Sequence, residues 1–145
     1  MKPSAFSLAL LGVLVATPLL AQNQEPGTPP DTALRTTRDG VFDDAQAARG
    51  EAVYTESCAA CHARGSFDGD VFLSRWSGRT VHDLYQLIST LMPMDNPGAL
   101  SPEEYVAIIA YILELNGMPA AAAPLPTTPA ALKLIRIEKE SGPSR

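Results

Sequence analysis

Residues 56–65 read ESCAACHARG and contain the only two cysteines of the chain, Cys58 and Cys61, with His62 directly after the second. Two thiols and an imidazole this close together suit three kinds of chemistry: a redox-active disulfide, a metal site, or the covalent attachment of a haem. The motif alone does not distinguish these three chemistries, so the choice between them depends on the rest of the sequence.

Residues 1–21 have the order of a secretory signal peptide. Lys2 precedes an apolar stretch, and small or apolar residues lead to a cleavage position after Ala21. A membrane-spanning helix needs about 20 predominantly apolar residues, and here Pro18 and the polar QNQE after the apolar stretch cut it short. The sequence therefore predicts a cleaved signal peptide, a periplasmic protein and no permanent membrane anchor.

The predicted export and the net charge limit which classes of function the protein can have. Cysteines outside the cytoplasm normally pair, but a disulfide between Cys58 and Cys61 would close too small a loop to stabilise a fold. Of the eleven basic residues, loss of Lys2 with the signal peptide leaves ten against sixteen acidic ones, a formal charge of −6. Such a protein is a poor candidate for nucleic-acid binding and suits a partner with a basic docking patch.

The composition divides the mature chain into three parts. Residues 22–40 are rich in Pro, Thr and Gly and predict a flexible leader. Residues 41–117 read as helices joined by loops and form the predicted domain. Residues 118–145 begin as a Pro/Ala-rich extended tail, and their stretch ALKLIRIEKE could form an amphipathic helix or strand that packs back on the domain or docks on a partner.

Three stretches of the central part are predicted as helices: DDAQAARGEAVYTESC, TVHDLYQLISTLMP and SPEEYVAIIAYILELNG. Each begins with a residue suited to N-capping and has Gln, Asp or Glu three residues later, which is the capping-box spacing. These cap residues are Asp43, Thr80 and Ser101. Because no stretch alternates with a period of two, the sequence predicts an all-α fold of three to four helices.

The apolar core of this domain is thin. About 75 residues in three or four helices rarely hold together without a disulfide, a metal or another internal staple. Helices joined by long loops therefore imply a large apolar group at the centre of the domain.

A zinc site and a thioredoxin-like redox pair both fit the motif poorly. A structural zinc ion needs four ligands, and the chain offers only its two cysteines, His62 and His82, of which Cys61 and His62 are adjacent. A redox pair belongs after a strand at a helix N-terminus, whereas Cys58 follows a predicted helix. Neither chemistry fills the core.

Covalent haem fits both the motif and the thin core. In a C-x-x-C-H motif the two thiols, here Cys58 and Cys61, form thioethers with the haem vinyl groups, and the adjacent histidine, His62, binds the iron as the proximal ligand. The haem also supplies the missing apolar centre. The sequence therefore predicts one covalently bound haem c.

The distal iron ligand has two candidates in the stretch LMPMDNPGALS. Met92 and Met94 flank Pro93, and Met92 lies thirty residues after His62 at the end of a predicted helix. Methionines are also common gap-fillers in protein cores. His82 is a third candidate, but its place inside a predicted helix favours a surface role.

The motifs CAACH, LMPMDNPGALS and SPEEYVAIIAYILELNG together resemble a class I bacterial cytochrome c over about half of the chain. The resemblance implies a small fold around one haem c, with the first helix crossing the last near one haem edge. Gly50 and Tyr54 match the small and aromatic residues of this contact on the first helix. Ile108 and Tyr111 match their partners on the last helix. The Met-Pro pattern makes Met92 the distal ligand, with Met94 as its rival.

The stretch from MPMDNPGALS to the end of the last predicted helix is similar to small cytochromes c associated with pyrroloquinoline-quinone-dependent (PQQ-dependent) alcohol dehydrogenases. This resemblance implies a non-enzymatic, periplasmic one-electron carrier between a dehydrogenase and the respiratory chain, with a terminal oxidase as the final acceptor. The acidic balance of the chain departs from that of mitochondrial cytochromes c. A lysine-ring docking surface is therefore not implied.

Two other functions stay open. A haem enzyme or gas sensor with an open distal site would follow if Met92 and Met94 were both core residues. A permanent cytochrome subunit of a dehydrogenase complex would use residues 118–145 as a docking strap.

Each aromatic or basic residue near the motif has two possible roles, one at the haem and one elsewhere in the fold. Phe72 and Trp76, in a predicted loop, line the haem or are ordinary core aromatics. Three arginines suit a haem propionate or are solvated surface charges: Arg64, Arg75 and Arg79.

Overall fold

A computed structural model describes residues 33–139, in which the secondary structure is almost entirely helical. The all-α prediction is confirmed. The predicted signal peptide and most of the predicted leader lie outside the described residues. In chain order the elements are β1 Arg35–Thr36, a 3₁₀ helix Thr37–Asp39, α1 Asp44–Ser57, a 3₁₀ helix Arg64–Ser66, α2 Gly69–Trp76, α3 Val81–Leu91, α4 Pro102–Leu115, α5 Pro129–Leu132 and β2 Ile135–Arg136.

The three predicted helices are present as α1, α3 and α4, and each begins at its predicted cap. Thr80 and Ser101 form complete capping boxes with the carboxylates of Asp83 and Glu104. The backbone and side-chain hydrogen bonds from these caps lower the pKa of both carboxyl groups. Only one of the two hydrogen bonds of the capping box predicted at Asp43 forms. The Asp43 carboxylate accepts the backbone N–H of Gln46 at 2.6 Å, but the Gln46 side chain does not bond back to the backbone of Asp43.

Helices α1 and α4 cross at Gly50, as the family resemblance implies. A Cβ atom at Gly50 would lie 1.9 Å from the carbonyl oxygen of Ala107 in α4. Because only glycine leaves room for this approach, the two backbones touch there. Next to the crossing, the rings of Tyr54 and Tyr111 pack with their centroids 5.4 Å apart.

Helix α2 corrects the prediction of a loop around Phe72 and Trp76. Both residues lie on this helix, are buried in the main core, and stack with ring centroids 6.4 Å apart. The guanidinium groups of Arg75 and Arg79 lie 5.9 and 4.7 Å from the centroid of the Trp76 ring. These arginines are therefore engaged with the indole.

The C-terminal segment, residues 118–139, packs on the helices and contains both a helix and a strand. Five of its apolar side chains are buried in the main core: Met118, Leu125, Leu132, Ile135 and Ile137. Strand β2 pairs in parallel with β1, and Ile137 exchanges backbone hydrogen bonds of 2.8 Å with Gly78 and Arg79. The folded unit thus extends beyond the predicted bounds of 41–117. Residues 35–39, at the end of the leader predicted for 22–40, form β1 and the following 3₁₀ helix.

Gln46 anchors this C-terminal segment to α1. Its side-chain amide donates to the backbone carbonyl of Leu125 at 3.1 Å, and its oxygen accepts the Leu125 N–H at 2.7 Å. Both residues are buried. The pair explains why Gln46 does not complete the cap of α1.

Replacing Gln46 by alanine is expected to lower the free energy of unfolding by about 1 to 3 kcal/mol, because two buried backbone groups of Leu125 lose their partner. Thermal or denaturant unfolding of the holoprotein measures the change. Gln86→Ala, an exposed position on α3, is the matched control. Equal stability of the two variants would contradict the anchoring role.

No helix within residues 33–139 combines the length and the apolar character that crossing a membrane requires.

Candidate haem site

A cavity of about 980 Å³ lies between the motif segment, α3, the loop that follows it, and α4. Its walls are mainly apolar. The lining includes the motif side chains and both candidate methionines, with apolar residues of α3 and α4 between them: Cys58, Cys61, His62, Met92, Met94, Leu87, Ile88, Ile108 and Ile112.

A single turn after α1 gathers the three motif side chains at this cavity. Cys58 caps the helix and donates its N–H to the Tyr54 carbonyl at 2.8 Å. The N–H groups of Cys61 and His62 both donate to the Cys58 carbonyl, at 3.1 and 2.9 Å. The two thiols are not joined in a disulfide, and burial raises the pKa of the Cys58 thiol. The C-x-x-C-H spacing thus presents two thiols and one imidazole to the same space.

His62 is fixed by two aromatic neighbours. The Tyr54 hydroxyl donates to the His62 carbonyl oxygen at 2.6 Å. Burial raises the pKa of Tyr54, and a tyrosine hydroxyl is protonated at neutral pH even without such a shift. The Phe67 ring lies with its centroid 5.2 Å from that of the imidazole. The proximal candidate is therefore held through both its backbone and its ring.

The two candidate methionines differ in environment. Met92 ends α3, with its N–H on the Ile88 carbonyl at 2.9 Å. Its own carbonyl accepts the Tyr105 hydroxyl at 2.7 Å and the Gly98 N–H at 3.3 Å. Met92 is half-buried, whereas Met94 is 78% exposed. Both line the cavity, but only Met92 has its backbone fixed by a buried residue of α4.

Other sequence candidates lie away from the cavity. His82, in the first turn of α3, is not among the lining residues, nor are Phe72 and Trp76. Of the two possible roles of these aromatics, the structure supports ordinary core residues, because α2 directs them into the core. Arg64 forms an ion pair with Glu51.

Two lining aromatics were not predicted to line the site. Phe67 follows the motif by five residues, and Tyr105 lies in the second turn of α4. An aromatic residue shortly after C-x-x-C-H is a signal that would have indicated Phe67. Nothing local indicates Tyr105, whose role depends on how α4 meets the end of α3.

The cavity suits a covalently bound haem. Its volume is about 980 Å³, its walls are mainly apolar, and its lining includes two thiols, one imidazole and the thioether sulfurs of two methionines. This is the donor set for thioether attachment and His/Met ligation of a haem iron.

One comparison with known proteins gives a match. A family model described as cytochrome C oxidase, cbb3-type, subunit III, matches residues 45–112, a little under half of the chain. The match supports a class I c-type cytochrome domain. The described helices fit the small all-α cytochrome c fold, and such a domain implies covalently bound haem c, in keeping with Cys58 and Cys61. A cytochrome c domain points to haem-based electron transfer with redox partners. Neither the curated proteins nor the solved structures gave a match.

Proposed function

We propose that this protein is an exported monohaem cytochrome c that carries single electrons between a periplasmic dehydrogenase and the respiratory chain. The observation that carries the proposal is the convergence of Cys58, Cys61, His62 and Met92 on one mainly apolar cavity. A protein that holds an iron in this way needs only to tune its potential and present one edge to its partners.

Four side chains are assigned to the haem. Cys58 and Cys61 would form the thioether bonds, His62 would be the proximal ligand and Met92 the distal one. Met94 is the rival for the distal position, but its exposure of 78% favours Met92, which is half-buried. When bound, the haem supplies reversible one-electron chemistry at its iron, and His/Met ligation raises the potential.

The charge around the cavity favours partners with a basic docking patch. Apart from the proposed ligand His62, two of the residues that line the cavity are ionisable at neutral pH, and both are acidic: Glu56 and Asp95. The chain as a whole is also acidic, with sixteen Asp and Glu residues against eleven Lys and Arg. Such a surface steers oppositely charged proteins toward the haem edge.

The proposed donor is a dehydrogenase of the PQQ-dependent alcohol dehydrogenase class, and the proposed final acceptor is a terminal oxidase. The support for this donor is the resemblance of the stretch from Met92 to Gly117 to cytochromes associated with such enzymes. The signal-like residues 1–21 and the extracytoplasmic location typical of c-type cytochromes support a periplasmic location for this protein.

The second candidate is a permanent cytochrome subunit of a respiratory complex. The description of the matched family, an oxidase subunit, favours it. The C-terminal segment favours a free carrier instead, because residues 118–139 are occupied in packing on their own domain. Purification from native cells at high salt separates the two: a subunit copurifies in a fixed ratio with its complex, whereas a carrier is recovered alone.

Replacing Met92 by alanine is expected to open the sixth iron position, so that the dithionite-reduced holoprotein binds carbon monoxide. Met94→Ala is the matched control and should behave as the wild type. The Soret band reports binding in both variants. Carbon monoxide binding in Met94→Ala but not in Met92→Ala would transfer the distal role to Met94, and binding in neither would remove both methionines from it.

A further inference from the structure

Two tyrosine hydroxyls donate to the backbone carbonyl oxygens of the two proposed axial ligands. Tyr54 Oη lies 2.6 Å from the carbonyl oxygen of His62, and Tyr105 Oη lies 2.7 Å from that of Met92. Both tyrosines line the cavity and are buried, with exposures of 2% and 3%. Each of the two segments thus receives one tyrosine hydroxyl, and the Met92 carbonyl also accepts the Gly98 N–H at 3.3 Å.

Each contact joins a ligand segment to one of the two helices that cross at the centre of the fold. His62 lies in the turn after α1 and is held by Tyr54 of α1. Met92 lies at the end of α3 and is held by Tyr105 of α4. A hydrogen bond to a residue's carbonyl restricts its backbone, and so restricts the point from which its side chain extends. Residues outside regular structure have few other such restraints.

We propose that Tyr54 and Tyr105 are positioning residues that hold the backbones of His62 and Met92 so that both side chains stay directed at the haem iron. The inference rests on the proposed function, which names these two residues as the ligands. Neither hydroxyl is required to touch the iron. Each acts through the residue whose carbonyl it binds.

The other two tyrosines of the chain provide matched controls. The Tyr111 ring packs against Tyr54 with centroids 5.4 Å apart, and its buried hydroxyl has no hydrogen-bond partner. The Tyr85 ring meets Tyr105 edge-on at 6.1 Å, and its hydroxyl makes no hydrogen bond among residues 33–139. Tyrosine-to-phenylalanine changes at these two positions remove a hydroxyl beside each anchor while leaving the anchor itself intact.

Amide hydrogen exchange of the holoprotein tests the two anchors separately. Tyr54→Phe is expected to speed exchange in residues 58–63 by about threefold to tenfold and to leave residues 92–98 unchanged. Tyr105→Phe is expected to speed exchange in residues 92–98 by a similar factor and to leave residues 58–63 unchanged. Equal acceleration in both segments by either variant, or the same change in the Tyr111→Phe and Tyr85→Phe controls, would overturn the proposal.

Imidazole binding to the ferric holoprotein gives a second readout, which a purely structural role would not move selectively. Imidazole must displace the Met92 sulfur, so its apparent affinity follows the fraction of protein in which that ligand has left. Tyr105→Phe is expected to bind imidazole about threefold to tenfold more tightly, and the two control variants as the wild type does. Unchanged affinity in Tyr105→Phe would overturn the role of this residue.

The two readouts separate this inference from the function on which it rests. If the wild type already binds imidazole as readily as Met92→Ala does, Met92 is not the ligand and the proposed function fails at that point. The exchange pattern still decides whether each tyrosine holds its segment. Segment-specific exchange supports the anchors, and uniform exchange contradicts them.

Discussion

The double replacement Cys58→Ala with Cys61→Ala is expected to yield protein without any covalently attached haem. The two thiols are the only cysteines of the chain and both line the cavity, so no other side chain can form a thioether with a vinyl group. The intact mass of the purified protein and haem absorbance on a denaturing gel measure the outcome. Haem that remains attached through denaturation would contradict the assignment.

Ala59→Ser is the matched control for this change. Ala59 lies between the cysteines, is exposed and does not line the cavity, so its replacement leaves the C-x-x-C-H pattern intact. Full haem attachment is expected in this variant. The double cysteine variant is also expected to lose most of its folded stability, because a cavity of about 980 Å³ is then left without the group that fills it.

Gly50→Ala is expected to lower the free energy of unfolding by about 3 kcal/mol or more. The added Cβ would lie 1.9 Å from the Ala107 carbonyl oxygen and 2.4 Å from the carbonyl carbon, and these backbone atoms cannot move aside as a flexible side chain would. Helices α1 and α4 must therefore separate, which costs more than an ordinary overpacked core. The better helix propensity of alanine returns only about 1 kcal/mol.

Gly65→Ala is the control for this substitution. Its added Cβ would meet nothing closer than the Asp68 carboxylate oxygen at 4.0 Å, and its φ is not positive. Urea unfolding of both holoproteins gives the difference in free energy directly. Similar stability of Gly50→Ala and Gly65→Ala would show that the close approach of α1 to α4 is not a requirement of the fold.

The helices that could be predicted are those whose signals lie within a few residues. The caps at Thr80 and Ser101 are local patterns, and the structure forms both. Helix α2 has no such signal: it is short, begins with glycine, and its preceding residue, Asp68, makes no side-chain cap. Its formation depends on burying Phe72 and Trp76 in a core that the sequence does not display.

The C-terminal segment could not be placed from sequence because its contacts are distant along the chain. Strand β2 pairs with β1 across about 100 residues, and Gln46 binds Leu125 across 79. Pairing over two residues leaves no periodic pattern. A Pro/Ala-rich composition, read alone, predicts an extended tail.

Part of the candidate site could likewise be predicted from local sequence, and part of it depends on contacts between distant residues. Cys58, Cys61 and His62 form one short motif, so the turn that presents them to a common cavity could be predicted. Which methionine approaches the iron depends on the path of the loop after α3. The contacts of the Tyr54 and Tyr105 hydroxyls with the carbonyls of His62 and Met92 depend on where α1 and α4 lie.

The addition of carbon monoxide to the dithionite-reduced wild-type holoprotein at neutral pH, followed at the Soret band, tests the central claim most directly. With His62 and Met92 both on the iron, the sixth position is filled by a strong ligand, and no spectral change is expected. Ready binding of carbon monoxide would mean an open or labile iron. That result would contradict the proposed electron-carrier function and would favour a haem enzyme or a gas sensor.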